Sequence, residues 1–122
     1  MQTLQSNIDK KGVLTLSMNR PDIHNAFDSV MIKELTRAIT AAGDDDDVRL
    51  LVLTGVGSCF SAGADLNWMR SQVTATREEN ERDAMQLAGL MRTLNYLPKP
   101  TVARVNGAAF GGGLGLVAAC DI

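Results

Sequence analysis

The stretch Leu50-Leu51-Val52-Leu53-Thr54 opens with four consecutive apolar residues and shows no alternation. A strand with one wet face alternates apolar and polar side chains, so this run predicts a strand covered on both faces, as in a parallel sheet. Parallel neighbours need crossover connections, most often helices, and the flanking sequence supplies them. Asp28 reads as an N-cap, and behind it Ile32, Leu35, Ile39 and Ala42 recur at helical spacing up to Gly43. Residues 77–97 predict a second long helix with Met85, Ala88, Met91 and Leu94 as its core-facing stripe. Pro98-Lys99-Pro100 stops it. Residues 3–8 and 13–19 predict two strands joined by a turn at Lys10-Lys11-Gly12, and Arg20-Pro21 ends the second. Residues 101–105 predict a further short strand, and residues 114–119 a helix. Alternation of strand and helix after the first hairpin implies an α/β fold with right-handed crossovers. Residues 1–122 read as one domain without linker, repeat or low-complexity segment.

Two loops of small residues interrupt this pattern. Cys59-Phe60-Ser61-Ala62-Gly63-Ala64-Asp65-Leu66 follows the apolar strand and enters a short helix. Gly111-Gly112-Gly113 precedes the helix that starts near Leu114. Backbone N–H groups in the first turn of a helix lack internal acceptors, and the helix dipole favours negative charge there. Small residues let a ligand approach the backbone closely. The segment Gly111-Gly112-Gly113-Leu114-Gly115-Leu116 fails the dinucleotide pattern G-x-G-x-x-G, since Leu116 stands at the last glycine position, and no Gly-Lys-Ser/Thr completes a Walker loop. Taken alone, the glycine run fits either helix packing or an anion or oxyanion site.

The net charge of −2 argues against nucleic acid as a partner, because neutralising phosphates needs a basic surface. The acidic run Asp44 to Asp47 lies at a helix C-terminus, where it opposes the dipole, and reads as a solvated loop. Glu78, Glu79, Glu81 and Asp83 form another solvated cluster. The two cysteines, Cys59 and Cys120, have no metal or disulfide spacing and read as small buried residues. No metal site is expected. The N-terminal residues lack the basic and apolar regions of a signal peptide, and no apolar run is long enough to span a bilayer. The expectation is a cytoplasmic protein without a membrane partner.

Four motifs occur together and in register. Asn19-Arg20-Pro21 with His24-Asn25-Ala26 resembles the N-R-P-x-x-x-N-A segment of the crotonase (enoyl-CoA hydratase/isomerase) family. Phe60-Ser61-Ala62-Gly63-Ala64-Asp65-Leu66 resembles the family's F-x-A-G-A-D-[LI] loop. Lys99-Pro100 through Asn106-Gly107, Gly111-Gly112-Gly113 and Cys120-Asp121-Ile122 resemble its K-P-x-x-A-x-[VI]-x-G…G-G-G…C-D-I stretch. The resemblance covers essentially the whole chain but about the N-terminal half of a family member. It implies the N-terminal portion of a spiral of ββα units that binds an acyl-CoA thioester, with coenzyme A as part of the substrate and no tightly bound cofactor. It also implies a homotrimer or hexamer when the protein is complete.

By motif position, the resemblance makes the backbone N–H groups of Ala64 and Gly112 an oxyanion hole for the thioester carbonyl. It places His24, Ala26, Ala62, Asp65, Leu66 and Asn67 along the coenzyme A path. His24 alone fits either a cofactor contact or an ordinary surface residue. Asp65 fits a helix cap, and the two roles can coexist. Trp68 reads as packing or pocket wall. A bulky residue at Gly112 is the expected probe of the oxyanion role. The sequence departs from two-glutamate hydratases where their first catalytic glutamate would stand, three residues after Gly112, since this position is Gly115. No general acid or base is therefore assigned within residues 1–122, and the family's second glutamate would lie beyond Ile122. Residues 107–122 look closest to hydratases of the glutaconyl-CoA type, which act on branched, carboxylated enoyl-CoAs from leucine or terpene breakdown. The resemblance leaves enoyl-CoA hydration, isomerisation and non-catalytic acyl-CoA binding as the readings to separate.

Overall fold

The computed structural model describes residues 1–122. Strands β1 (Leu4–Ile8) and β2 (Val13–Met18) form an antiparallel hairpin in the register Leu4↔Met18 to Ile8↔Leu14. Asp9 shapes its turn, since Oδ1 accepts from the backbone N–H groups of Lys11 and Val13 at 2.9 and 3.0 Å. Helix α1 (Ser29–Asp44) then crosses to β3 (Leu50–Gly55), which lies parallel to β2 from Val13↔Leu50 to Met18↔Gly55. Asp28 caps α1 by accepting from Met31 N–H at 2.9 Å. A second crossover carries helices α2 (Leu66–Thr74) and α3 (Arg77–Asn95) and returns to β5 (Thr101–Ala103), parallel to β3. The main sheet therefore runs β1-β2-β3-β5. Along β3, Leu51 to Thr54 are all buried, as a run without alternation requires.

The core lies between this sheet and the helices. Leu16 and Met18 of β2 and Leu51 and Leu53 of β3 pack with Met31, Ile32, Leu35 and Ile39 of α1 and with Leu90 and Leu94 of α3. The expected stripe on α3 needs correction. Met85 is 71% exposed and Ala88 is exposed, whereas Leu87 and Met91 join Leu90 and Leu94 against the core. Steps of three residues turn 300° and lag a full turn by 60°, so a strict three-residue spacing winds off any one face. The set 87, 90, 91, 94 follows the true 3.6-residue period.

Two short strands have no counterpart in the sequence reading. β4 (Cys59–Ser61) and β6 (Ala108–Ala109) pair in parallel as a second small sheet, and helix α4 (Gly112–Ala119) follows β6. Three and two residues carry no readable periodicity, and β4 lies in a segment that reads as a loop.

Several motif residues hold the frame. Lys99 Nζ donates to the carbonyl of Ala42 at 2.6 Å and also to that of Asp45, satisfying acceptors at the end of α1. Asp121 Oδ2 accepts from Thr101 N–H and Oγ1 at 2.9 and 3.2 Å, and Ile122 exchanges backbone hydrogen bonds with β5. Both cysteines are free. Cys59 is buried, and burial foremost pushes the half-buried Cys120 thiol above its usual range, with Asp121 adding to the rise against a hydrogen bond with Thr101. No helix is long and apolar enough to cross a membrane.

Candidate functional site

The site begins with two loops that are far apart in sequence and zipped together in space. Asn25 is their hub. Its side chain is fully buried, accepts from Arg20 N–H at 2.8 Å, and donates to the carbonyls of Val56 and Cys59 at 3.0 and 2.9 Å. His24 and Asn25 both adopt left-handed backbone, with φ of 57° and 56°. Asparagine tolerates that region better than most residues. The carbonyl of His24 accepts from Ala62 N–H at 2.9 Å, Phe27 N–H donates to Gly63 C=O at 2.7 Å, and Asp65 N–H donates to Phe27 C=O at 2.7 Å.

This pattern decides where Ala64 N–H points. Phe27 and Ala64 form a parallel bridge. In such a bridge the residues on either side of Ala64 bond to Phe27, so Ala64's own N–H is directed away from that partner. No protein acceptor receives it. At the start of α4, Gly113 N–H donates to Phe110 C=O at 2.8 Å and Gly115 N–H to Gly111 C=O at 3.1 Å, while Gly112 N–H has no acceptor.

The two unpaired donors sit on abutting backbone. Gly63 has a φ of 90°, and a Cβ there would lie 2.9 Å from Phe110 O and 3.5 Å from Gly112 N. Phe110 N–H also donates to Ser61 C=O at 2.9 Å. The peptide carrying Ala64 N–H is thereby set against the peptide carrying Gly112 N–H. Two preorganised backbone donors of this kind can hold a carbonyl oxygen that gains negative charge.

An open groove of about 560 Å³ lies beside them. His24, Ala26, Ala62, Asp65, Leu66 and Asn67 all line it, as does Ala64. Gly112 does not, and stands behind the Ala64 end through its contact with the Gly63 loop. The groove also has three lining residues that sequence reasoning missed: Ile23, Met69 and Arg70. Leu66, Met69 and Arg70 share one face of α2 at positions i, i+3 and i+4, so the spacing signal existed. Trp68 packs half-buried against the core.

Asp65 proves to be a cap and an ion-pair partner. Oδ1 accepts from Asn67 and Trp68 N–H at 2.7 and 3.2 Å, and Oδ2 pairs with Arg20 Nη2 at 3.0 Å. Arg20 also donates to Ala26 C=O at 2.9 Å and lies 3.4 Å from Asp28, so it ties both loops to α1 and α2. Burial works against the Asp65 charge, but the bonds from Trp68, Asn67 and Arg20 outweigh it and hold the carboxyl below its usual range. A lowered folded pKa makes this stabilisation complete above the unfolded value of about 3.9, and it is lost as pH falls through the lower folded value. Acid unfolding followed by circular dichroism is expected to show a larger stability loss below about pH 4 in the parent protein than in Asp65→Asn. Parallel pH curves for the two would contradict the pairing.

Gly115 is half-buried on α4, and the tip of Met91 stands where its side chain would begin, with Cε 3.0 Å from the position of a Cβ. No group of three or more His, Cys, Asp or Glu side chains is placed to hold a metal ion.

Residues 9–122 match the model of the enoyl-CoA hydratase/isomerase family. The chain belongs to that family. Among relatives of this enoyl-CoA hydratase/isomerase chain, the 1,2-epoxyphenylacetyl-CoA isomerase of Escherichia coli K12 is 37% identical over 123 aligned positions, covering 100% of this chain and 47% of the relative. The 4-chlorobenzoyl coenzyme A dehalogenase-2 of an Arthrobacter species is 38% identical, covering 91% of this chain and 41% of the relative. A crystal structure of an enoyl-CoA hydratase from Shewanella pealeana superposes with a TM-score of 0.95 at 45% identity, over 98% of this chain and 45% of that one. The crotonase-type α/β fold is thus shown, and the chain spans a little under half the length of these relatives. The names of these relatives cover isomerisation, dehalogenation and hydration of CoA compounds.

Proposed function

We propose that the complete protein is an enoyl-CoA hydratase or isomerase in which Ala64 and Gly112 N–H polarise the substrate's thioester carbonyl. The observation that carries this reading is the pair of acceptor-free backbone donors on abutting peptides beside an open groove. As charge moves onto the thioester oxygen in an enolate-like intermediate, donors already in place stabilise it without reorganisation. The coenzyme A portion runs along the groove past Ala26, Ala62, Leu66 and Asn67, with His24 and Arg70 as the groups able to meet its phosphates. Arg70 is exposed and forms no ion pair within the chain. Arg70→Gln is expected to weaken binding of a CoA thioester about five-fold, near 1 kcal/mol for one exposed charge, with the difference shrinking in high salt. Calorimetric titration at two ionic strengths checks it, and equal affinities at low salt would remove Arg70 from the phosphate path.

Proton transfer is assigned outside residues 1–122. Gly115 offers no side chain, and Asp65, the one carboxylate lining the groove, is held ionised by its cap and its Arg20 pair, which makes it a poor base. A branched or carboxylated enoyl-CoA of the glutaconyl type is the substrate we favour, on the resemblance of residues 107–122 and the glycine at position 115. Assembly into a trimer or hexamer remains part of the proposal for the complete protein.

Steady-state hydration of 3-methylglutaconyl-CoA against crotonyl-CoA tests the reading, with protein from the complete reading frame and the 122-residue chain assayed in parallel. Turnover by the longer protein alone supports it. Turnover by the 122-residue chain overturns the assignment of proton transfer. Thioester binding without turnover by either favours the second reading, a non-catalytic acyl-CoA-binding protein, which the absent side chain at Gly115 supports.

A further inference from the structure

Helix α4 presents Gly112 and Gly115 one turn apart, and residues at this spacing lie about 5–6 Å from one another on one helix face. Gly112 contributes an unpaired N–H, and an acyl group whose carbonyl oxygen rests on that donor and which extends along α4 brings its next carbons within a few ångströms of position 115. The chain places no side chain there. Instead, Met91 reaches across from α3, with its Cε 3.0 Å and its Sδ 3.5 Å from the point a Cβ of residue 115 would occupy. Met91 is half-buried, between the fully buried Leu90 and Leu94 and the wet face of α3. Its tip is the flexible end of an unbranched chain with a polarisable sulfur, which adapts to the shape of whatever lies against it.

We infer that Met91 is a specificity-determining wall of the acyl site, its thioether filling the space left by Gly115 and setting how much bulk the acyl group can carry beside the reacting carbons. This rests on the oxyanion reading of Gly112 above. Two opposite changes follow. Met91→Ala opens the wall. Gly115→Ala adds a methyl group that can be accommodated only if the Met91 tip moves aside, and it narrows the same space.

The measurement is the ratio of kcat/KM for 3-methylcrotonyl-CoA to that for crotonyl-CoA, taken on protein from the complete reading frame. These substrates differ by one methyl group at the third carbon, and one such group in an apolar pocket is worth about 10-fold or more. A ratio within one preparation is independent of the fraction correctly folded, so loss of stability cannot imitate the effect. Met91→Ala is expected to raise the ratio about 10-fold, and Gly115→Ala to lower it. In the double variant the effect of Gly115→Ala should largely vanish, because the methionine it displaces is gone. Ratios within two-fold of the parent in both single variants overturn the inference while leaving the enzymatic reading intact. Absence of turnover of these two substrates and of 3-methylglutaconyl-CoA by the unaltered protein overturns the enzymatic reading, and this inference with it.

Discussion

On the proposed oxyanion reading, an Ala64→Pro form of the complete protein is expected to turn over an enoyl-CoA about 10²–10³-fold more slowly than the parent, the usual cost of losing one oxyanion donor, while remaining folded. Proline removes the backbone N–H and holds φ at about −65°. Most positions would lose an internal hydrogen bond on that change. Ala64 loses none, since its N–H has no protein acceptor, and the bonds of Gly63 C=O and Asp65 N–H to Phe27 persist. Proline restricts the residue before it partly through that residue's Cβ, and here that residue is Gly63, which has none. A bulky residue at Gly112, the probe the sequence suggests, answers a different question. A Cβ there would lie 2.6 Å from Cε2 of Phe27, whose ring is buried in the core, so Gly112→Phe disrupts packing before it tests chemistry. Single-turnover kinetics with a thermal melt on the same sample checks the Ala64 result. A rate within three-fold of the parent at an unchanged melting temperature would remove Ala64 from the oxyanion role.

Asn25→Ala is expected to cost about 2–5 kcal/mol of folding stability. Arg20 N–H loses its acceptor and Val56 C=O a donor, each worth about 1–3 kcal/mol when fully buried and toward the lower end here, where both bonds are partly buried. Cys59 C=O suffers less, because Asn106 Nδ2 also donates to it at 3.3 Å. Alanine at a φ of 56° adds roughly 1 kcal/mol of backbone strain. Asn25→Gly isolates the two parts, since it accepts the backbone and still lacks the amide. Urea unfolding of the three proteins gives the comparison. A loss below 1 kcal/mol for Asn25→Ala would show that the two loops hold together without their hub.

Much of this protein is legible one segment at a time. The unalternating run at Leu50–Thr54 reads as a doubly covered strand because burial on both faces selects apolar side chains everywhere. Asp28 reads as a cap because the first turn of α1 needs an acceptor. Four motifs in register pointed to the family and to the groove residues, and the fold brings His24, Ala26, Ala62, Ala64, Asp65, Leu66 and Asn67 to one opening. These are local signals, or spacings within one chain.

What the sequence by itself determined, then, is the α/β order, the approximate extent of the main helices and the presence of two small-residue junctions leading into helices. Only the tertiary structure decided which face of α3 is buried, since two overlapping stripes exist and contact with α1 and the sheet selects the one with the true helical period. It alone committed Asp65 to Arg20, 45 positions away in sequence. It alone turned Ala64 N–H outward, through a bridge to Phe27, and set Met91 in the place of a side chain at Gly115. Each depends on the register between segments joined through long crossovers. That register is set by how the whole core packs, and no short window of residues contains it.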